Sequence, residues 1–264
     1  MTEIQHLQKV ILSIAKDIDT LCRRNNIEYY LLGGSCIGAI RHKGFIPWDD
    51  DLDIMMTHEN YDKFIEACRK QLDPSKYFIQ EARKDWPLNF TKIRLKGTTL
   101  HELEDDYASK DMRGIYVDVF CLDNVPDNNI LAILQYILSK YYLCYLLGLR
   151  KYKSASFKKK IMIALSSPMK IKFIRRAVVG FIEKYNNKNT KRLGFFYGRT
   201  RLRNSITDRR VYGVPRYVSF EDTELPVPEY FHEYLTQMFG DYMKLPPIEQ
   251  RQGLHLLSVD FGEY

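Results

Sequence analysis

The chain has 264 residues, 45% of them hydrophobic, a net charge of +7 and a pI near 9.0. That length and apolar share can bury a full core, and they suit one domain carrying an insertion better than two independent domains. Five scattered cysteines without a CxxC pair, and six dispersed histidines without HExxH spacing, support neither a disulfide framework nor a zinc knuckle. Basicity without an RNP, zinc-finger or OB pattern argues for no nucleic-acid partner.

Ile4, Leu7, Ile11, Ile14, Ile18 and Leu21 fall on one face of an amino-terminal amphipathic helix, which is not a signal peptide, so a cytoplasmic location is expected. Tyr29 to Leu32 is a β-prone run that meets Gly33 and Gly34, and Ser35 stands at a helix N-cap position ahead of Ile37, Ala39 and Ile40. Strand, turn and short helix follow one another there. Backbone N–H groups at such a helix start suit a phosphate, which the glycines let approach closely.

In Asp51-Leu52-Asp53-Ile54 acids and aliphatics alternate, so a strand would put Asp51 and Asp53 on one face with Leu52 and Ile54 in the core. Like charges about 4 Å apart repel by roughly 4 kcal/mol at an effective dielectric near 20, which a cation between them relieves. Magnesium (or manganese) takes oxygen ligands and completes its shell with water and substrate phosphate. Asp49 and Asp50 either add a further ligand or flank the strand, Asp49 being carried forward as the candidate ligand, and Pro47 and Trp48 stiffen the turn before the acids.

Tyr61, Phe64, Ile65, Cys68 and Leu72 give a helical stripe; Tyr77 to Ile79, Phe90 to Leu95 and Ile115 to Phe120 read as strands of a small sheet. Lys92 lies on a strand whose polar face is read as wet. Asp118, between Val117 and Val119, must face water or have a partner. Residues 129–149 are strongly apolar, but Lys140 and several tyrosines favour a buried or interfacial helix over a membrane span. Lys151 to Arg176 alternates cations with apolar groups, which suits peripheral contact with the anionic inner face of the cell membrane as well as it suits solvated helices. Tyr230, Tyr234, Leu235, Met238 and Phe239 form the apolar face of a closing helix.

Gly34 to Asp53, GSCIGAIRHKGFIPWDDDLD, resembles the LicD family motif almost residue for residue. Gly114 to Phe120, GIYVDVF, is similar to that family's later strand with its acid, and Phe239 to Pro247, FGDYMKLPP, with Arg251 and His255 after it, resembles its closing segment. The resemblance implies an α/β (α+β) fold with a nucleotidyltransferase-like core, a small mixed sheet flanked by helices, and a mostly helical insertion. Residues 1–125 would form the core, 126–205 the insertion, and 206–264 a segment completing the core. It also implies an enzyme that moves a phospho-alcohol, most familiarly phosphocholine, from a CDP-activated donor such as CDP-choline to a hydroxyl of a cell-surface glycan or its lipid-linked precursor, releasing CMP. Lipopolysaccharide, capsular polysaccharide and teichoic acid are acceptors of that kind; relatives in the fukutin group use CDP-ribitol.

On that reading Asp51 and Asp53 bind the metal, with Asp49 beside them. Asp118 is the third ligand or the general base, and Gly33, Gly34 and Ser35 cradle donor phosphate. Arg41, His42 and Lys92 meet the charge of the diphosphate, with Arg251 and His255 as outer candidates. The DxD of metal-dependent glycosyltransferases, which use nucleotide sugars, is the principal alternative, and an NTP-using nucleotidyltransferase would share the metal site. A basic binding module that has kept the fold is the non-enzymatic alternative. Gly38 is followed by Ala39 where a Walker A loop needs GK[ST], which excludes a P-loop kinase.

Overall fold

The structure is a computed structural model that describes residues 1–81, 87, 89–102, 113–150, 157–198, 200–251, 253 and 256–264. Helix α1 (Glu3–Arg24) starts at a capping box in which Gln5 N–H donates to Thr2 Oγ1 and Thr2 N–H donates to Gln5 Oε1. Its predicted stripe holds: Leu7, Ile11, Ile14, Ile18 and Leu21 are buried and Ile4 packs against the core. A two-residue strand β1 (Tyr30–Leu31) leads into α2 (Gly33–Ile37), which widens into a π-helical turn over Gly38–His42.

Next come β2 (Asp53–Thr57), α3 (His58–Gln71), β3 (Tyr77–Gln80), β4 (Thr91–Leu95), β5 (Thr99–Glu102) and the long β6 (Tyr116–Val125). Among the described residues the main sheet runs β1-β2-β6-β4-β3. Strands β2 and β6 are parallel, with α3, β3, β4 and β5 between them in the chain, and the other pairs on this path are antiparallel. β6 is buried along nearly its whole length, as a strand covered on both faces should be. This is the mixed α/β architecture expected from the sequence.

Between β6 and β7 (Arg192–Gly194) lie α4 (Asn129–Leu149), α5 (Phe157–Leu165), a 3₁₀ turn over Ser167–Lys170 and α6 (Lys172–Glu183). Asn128 caps α4 by accepting from the N–H groups of Ile130 and Leu131. The chain then forms α7 (Leu202–Ser205), β8 (Ile206–Asp208), α8 (Arg209–Tyr212) and the hairpin β9 (Arg216–Phe220) and β10 (Thr223–Val227). It closes with α9 (Phe231–Phe239) and β11 (Leu256–Asp260), which pairs with β5. In α9, Tyr234 and Leu235 are buried, but Tyr230 and Phe239 are about half exposed, so the apolar face is narrower than predicted.

Two local expectations need correction. Strand β2 begins at Asp53, so Asp51 and Leu52 approach it as extended chain, although Leu52 still points into the core. Ser35 is not the N-cap; Leu32 holds that position, and Ser35 lies inside α2. Its hydroxyl instead accepts from Asp53 N–H at 2.9 Å, so it fixes the start of β2.

Candidate active site

Three strands bring three charged side chains into one row. Asp53 on β2 is the register partner of Asp118 on β6, and Asp118 is the partner of Lys92 on β4. Lys92 Nζ lies 3.0 Å from Asp118 Oδ1 and 3.1 Å from Oδ2. The ammonium also sits 3.2 Å from the centre of the Tyr116 ring. Lys92 is only 3% exposed, which overturns the reading of its strand face as wet. An ammonium reaches this depth because a carboxylate and an aromatic face replace its water.

Asp53 lacks that compensation. Its Oδ1 is buried and finds no hydrogen-bond partner among the described residues. Burial, then the charges of Asp51 and Asp118, hold its carboxyl well above the usual carboxylate range, against the pull of Lys92. Asp49 is pushed up to about 8 by burial and then by Asp51 and Asp50. Carboxylate oxygens of Asp49, Asp50 and Asp51 all lie within 4.8 Å of one another, so Asp50 joins the acids that the sequence singled out. An orphaned buried oxygen beside several mutually repelling carboxylates is a hard, anionic, all-oxygen donor set. It fits magnesium or manganese.

The acids are held from both ends of the chain. Gln8, on the buried side of α1, donates to Ile46 O at 3.1 Å and to Asp49 O at 2.9 Å, fixing the turn that carries them. Gly33 has φ +52°, and Gly34 lies so close to Asp49 that a Cβ there would stand 3.1 Å from Oδ2. The glycine turn and the acid cluster are therefore in contact. Gly33 N–H donates to the Tyr234 hydroxyl at 3.3 Å, which ties α9 to the same turn.

A basic group forms beside Trp48. Arg41 Nη1 donates to Tyr242 O at 2.7 Å and Lys244 O at 3.3 Å, and its Nε donates to His42 Nε2 at 2.9 Å. The His42 ring meets Trp48 edge-on at 6.3 Å, and Arg251 lies 5.5 Å from the Trp48 ring centre. Burial and then Arg251 lower the pKa of Arg41, while burial and then Arg41 lower that of His42, so the imidazole is neutral near pH 7. A Cβ on Gly253 would stand 2.9 Å from Asp50 Oδ2, so the closing segment lies over the acids. His255 lies outside the described residues.

Sequence reasoning missed Gln8, Tyr116, Tyr234 and Tyr242. Gln8 had a signal, as an amide next to Leu7 on the apolar stripe of α1, whereas the tyrosines act through contacts that only the folded chain makes. It also missed a second cluster, His58, Cys121 and Asp123. Asn186 Nδ2 donates there to Asp123 Oδ1 at 2.9 Å and lies 3.2 Å from His58 Nδ1, so the group reads as a hydrogen-bonded tie between α3 and β6.

The family description "LicD/FKTN/FKRP, nucleotidyltransferase domain" matches residues 26–129, a span that holds both acid strands, Lys92 and the glycine turn. The chain is 30% identical over 261 residues to the lipopolysaccharide cholinephosphotransferase LicD of Haemophilus influenzae, covering 96% of each protein. Uncharacterised proteins of Rickettsia prowazekii and Rickettsia typhi are each 49% identical to it over 47 residues, 18% of this chain and 18% and 15% of theirs. With similarity running nearly end to end, and the family's domain spanning the row of Asp53, Asp118 and Lys92, the chain belongs to the LicD family.

Proposed function

We propose that the protein transfers a phospho-alcohol, phosphocholine first among them, from a CDP-activated donor to a hydroxyl of a cell-surface glycan such as lipopolysaccharide or its lipid-linked precursor. CMP leaves as the new phosphodiester forms. The observation that carries the reading is the row of Asp53, Asp118 and Lys92, with Asp53 Oδ1 buried and unpartnered among the described residues. The relative from Haemophilus, named for cholinephosphate transfer to lipopolysaccharide, supports the choice of group and acceptor.

Asp51 and Asp53, with Asp49 and Asp118 adjoining, would hold magnesium or manganese, which when bound neutralises charge on the donor diphosphate. The protein's own groups do the rest by position and charge. The N–H groups of Gly34 and Ser35 receive a phosphate oxygen, since Gly33 N–H is engaged by Tyr234. Arg41 and Arg251 place positive charge beside the acids for the departing CMP, and neutral His42 offers a hydrogen-bonding ring there. Lys92 Nζ donates to Asp118 Oδ2 and lies 3.0 Å from Oδ1, an ion pair that holds that carboxylate in place for a ligand role.

The test is donor binding by calorimetry with CDP-choline, CDP-ribitol, CTP and UDP-glucose, each with and without magnesium. The wild type should bind a CDP-alcohol only with magnesium, and an Asp51→Asn, Asp53→Asn double variant should lose that binding. Preference for UDP-glucose would move the protein to the glycosyltransferases. Unchanged binding by the double variant would refute the metal site.

A further inference from the structure

Helix α4 buries Cys144, Tyr145 and Leu146 in its second half, but over its first half it is amphipathic the wrong way round for a soluble body. Its buried side carries Ala132, Gln135 and Ser139, while Ile130, Ile133, Leu134 and Ile137, spaced i, i+3, i+4, i+7, face outward. Polar groups fasten it inward. Gln135 Nε2 donates to Asn124 O at 3.1 Å and to Ile182 O at 2.7 Å, and Lys140 Nζ donates to Phe196 O at 2.8 Å and Gly198 O at 2.7 Å. Helix α5, packed on α4, buries none of its residues and exposes Phe157, Met162 and Leu165. At the start of α6 Phe173 is 80% exposed. Large apolar side chains exposed on three packed elements mark a surface that meets something other than water.

Charge says what that is. From Asn128 to Ile182 the sequence contains eleven lysines and arginines and no aspartate or glutamate, so the rest of the +7 chain is net negative. Lys158, Lys160, Lys170, Lys172 and Arg176 are exposed on the same helices as the apolar groups. A second copy would set this cationic surface against itself, and a nucleic-acid backbone has no use for a stripe of isoleucines. An anionic bilayer uses both, because apolar side chains enter the acyl boundary while cations meet the headgroups.

We propose that the outer face of α4, α5 and the start of α6 is a peripheral docking surface for an anionic lipid bilayer. This inference rests on the helices and their charge alone and is independent of the donor chemistry. Full-length protein floated with phosphatidylcholine vesicles containing phosphatidylglycerol should bind at least about tenfold better than with phosphatidylcholine alone, and salt should weaken that binding. A Phe157→Ser, Phe173→Ser variant should bind about tenfold less at unchanged charge, as should a Lys158→Glu, Lys160→Glu variant. All four side chains lie outside the core, so the unfolding midpoint serves as the control for folding. Equal binding to both vesicle types, or binding that survives in both variants, overturns the proposal. So does a wild-type dimer that the phenylalanine variant dissolves, or RNA retention in place of vesicle binding.

Discussion

Lys92 meets Asp118 at 3.0 Å and the Tyr116 ring at 3.2 Å, deep in the sheet. Removing one partner of a buried pair leaves the other charge uncompensated, which costs about 3–5 kcal/mol. Lys92→Met should therefore lower stability by that order in urea unfolding, and a loss below about 1 kcal/mol would show that the pair is not structurally significant. Acidic residues were easy to single out because DDDLD sits beside a glycine turn in one run. Asp118 and Lys92 were singled out as well, but their contact was not, because the pairing of Asp53, Asp118 and Lys92 depends on strand register between segments far apart in sequence. Ser35 misled for a related reason: its hydroxyl is committed to a strand N–H that only the folded chain brings near.

Elements with a strong period were legible. The α1 stripe holds, and α4 spans the predicted residues 129–149. Which side of α4 faces the body was hidden, because nearly every position is apolar and the buried face is chosen by Gln135 and Lys140 finding backbone carbonyls of neighbouring segments. Gln135 bridges β6 and α6, and Gln135→Leu deletes both bonds and strands two buried carbonyl groups. The expected cost is about 2 kcal/mol, and protection of the α6 amides in hydrogen exchange should fall with it. A variant as stable as the wild type would show that packing alone seats α4. The short strands β7 to β10 went unseen, because three to five residues carry too little period to separate from loop.

At the scale of the whole molecule, the crowded acids make stability depend on pH in an unusual direction. Asp49, pushed up to about 8, holds a proton in the folded state that the unfolded chain has already released. The folded form is thus favoured by lower pH, and stability falls as pH rises from the unfolded carboxylate range toward about 8. Asp53 shifts the same way. Asp123, buried and raised to about 7, adds to the same slope but lies apart from the acid cluster. The melting temperature of metal-free protein should rise between about pH 8 and about pH 6, and excess magnesium should flatten the part due to Asp49 and Asp53. An unchanged slope in Asp49→Asn would assign the effect elsewhere.

The bond from Gly33 N–H to Tyr234 and the one from Arg41 to Tyr242 O each span 201 residues. Closing loops of that length is entropically costly and slow, and neither bond can form until its later partner has left the ribosome. The glycine turn and its acids are synthesised well before Tyr234 and Tyr242, yet they wait on them. Competence to bind substrate is therefore a late event in this protein's maturation, and a nascent or carboxy-terminally clipped chain would carry every acid of the site and still lack its frame.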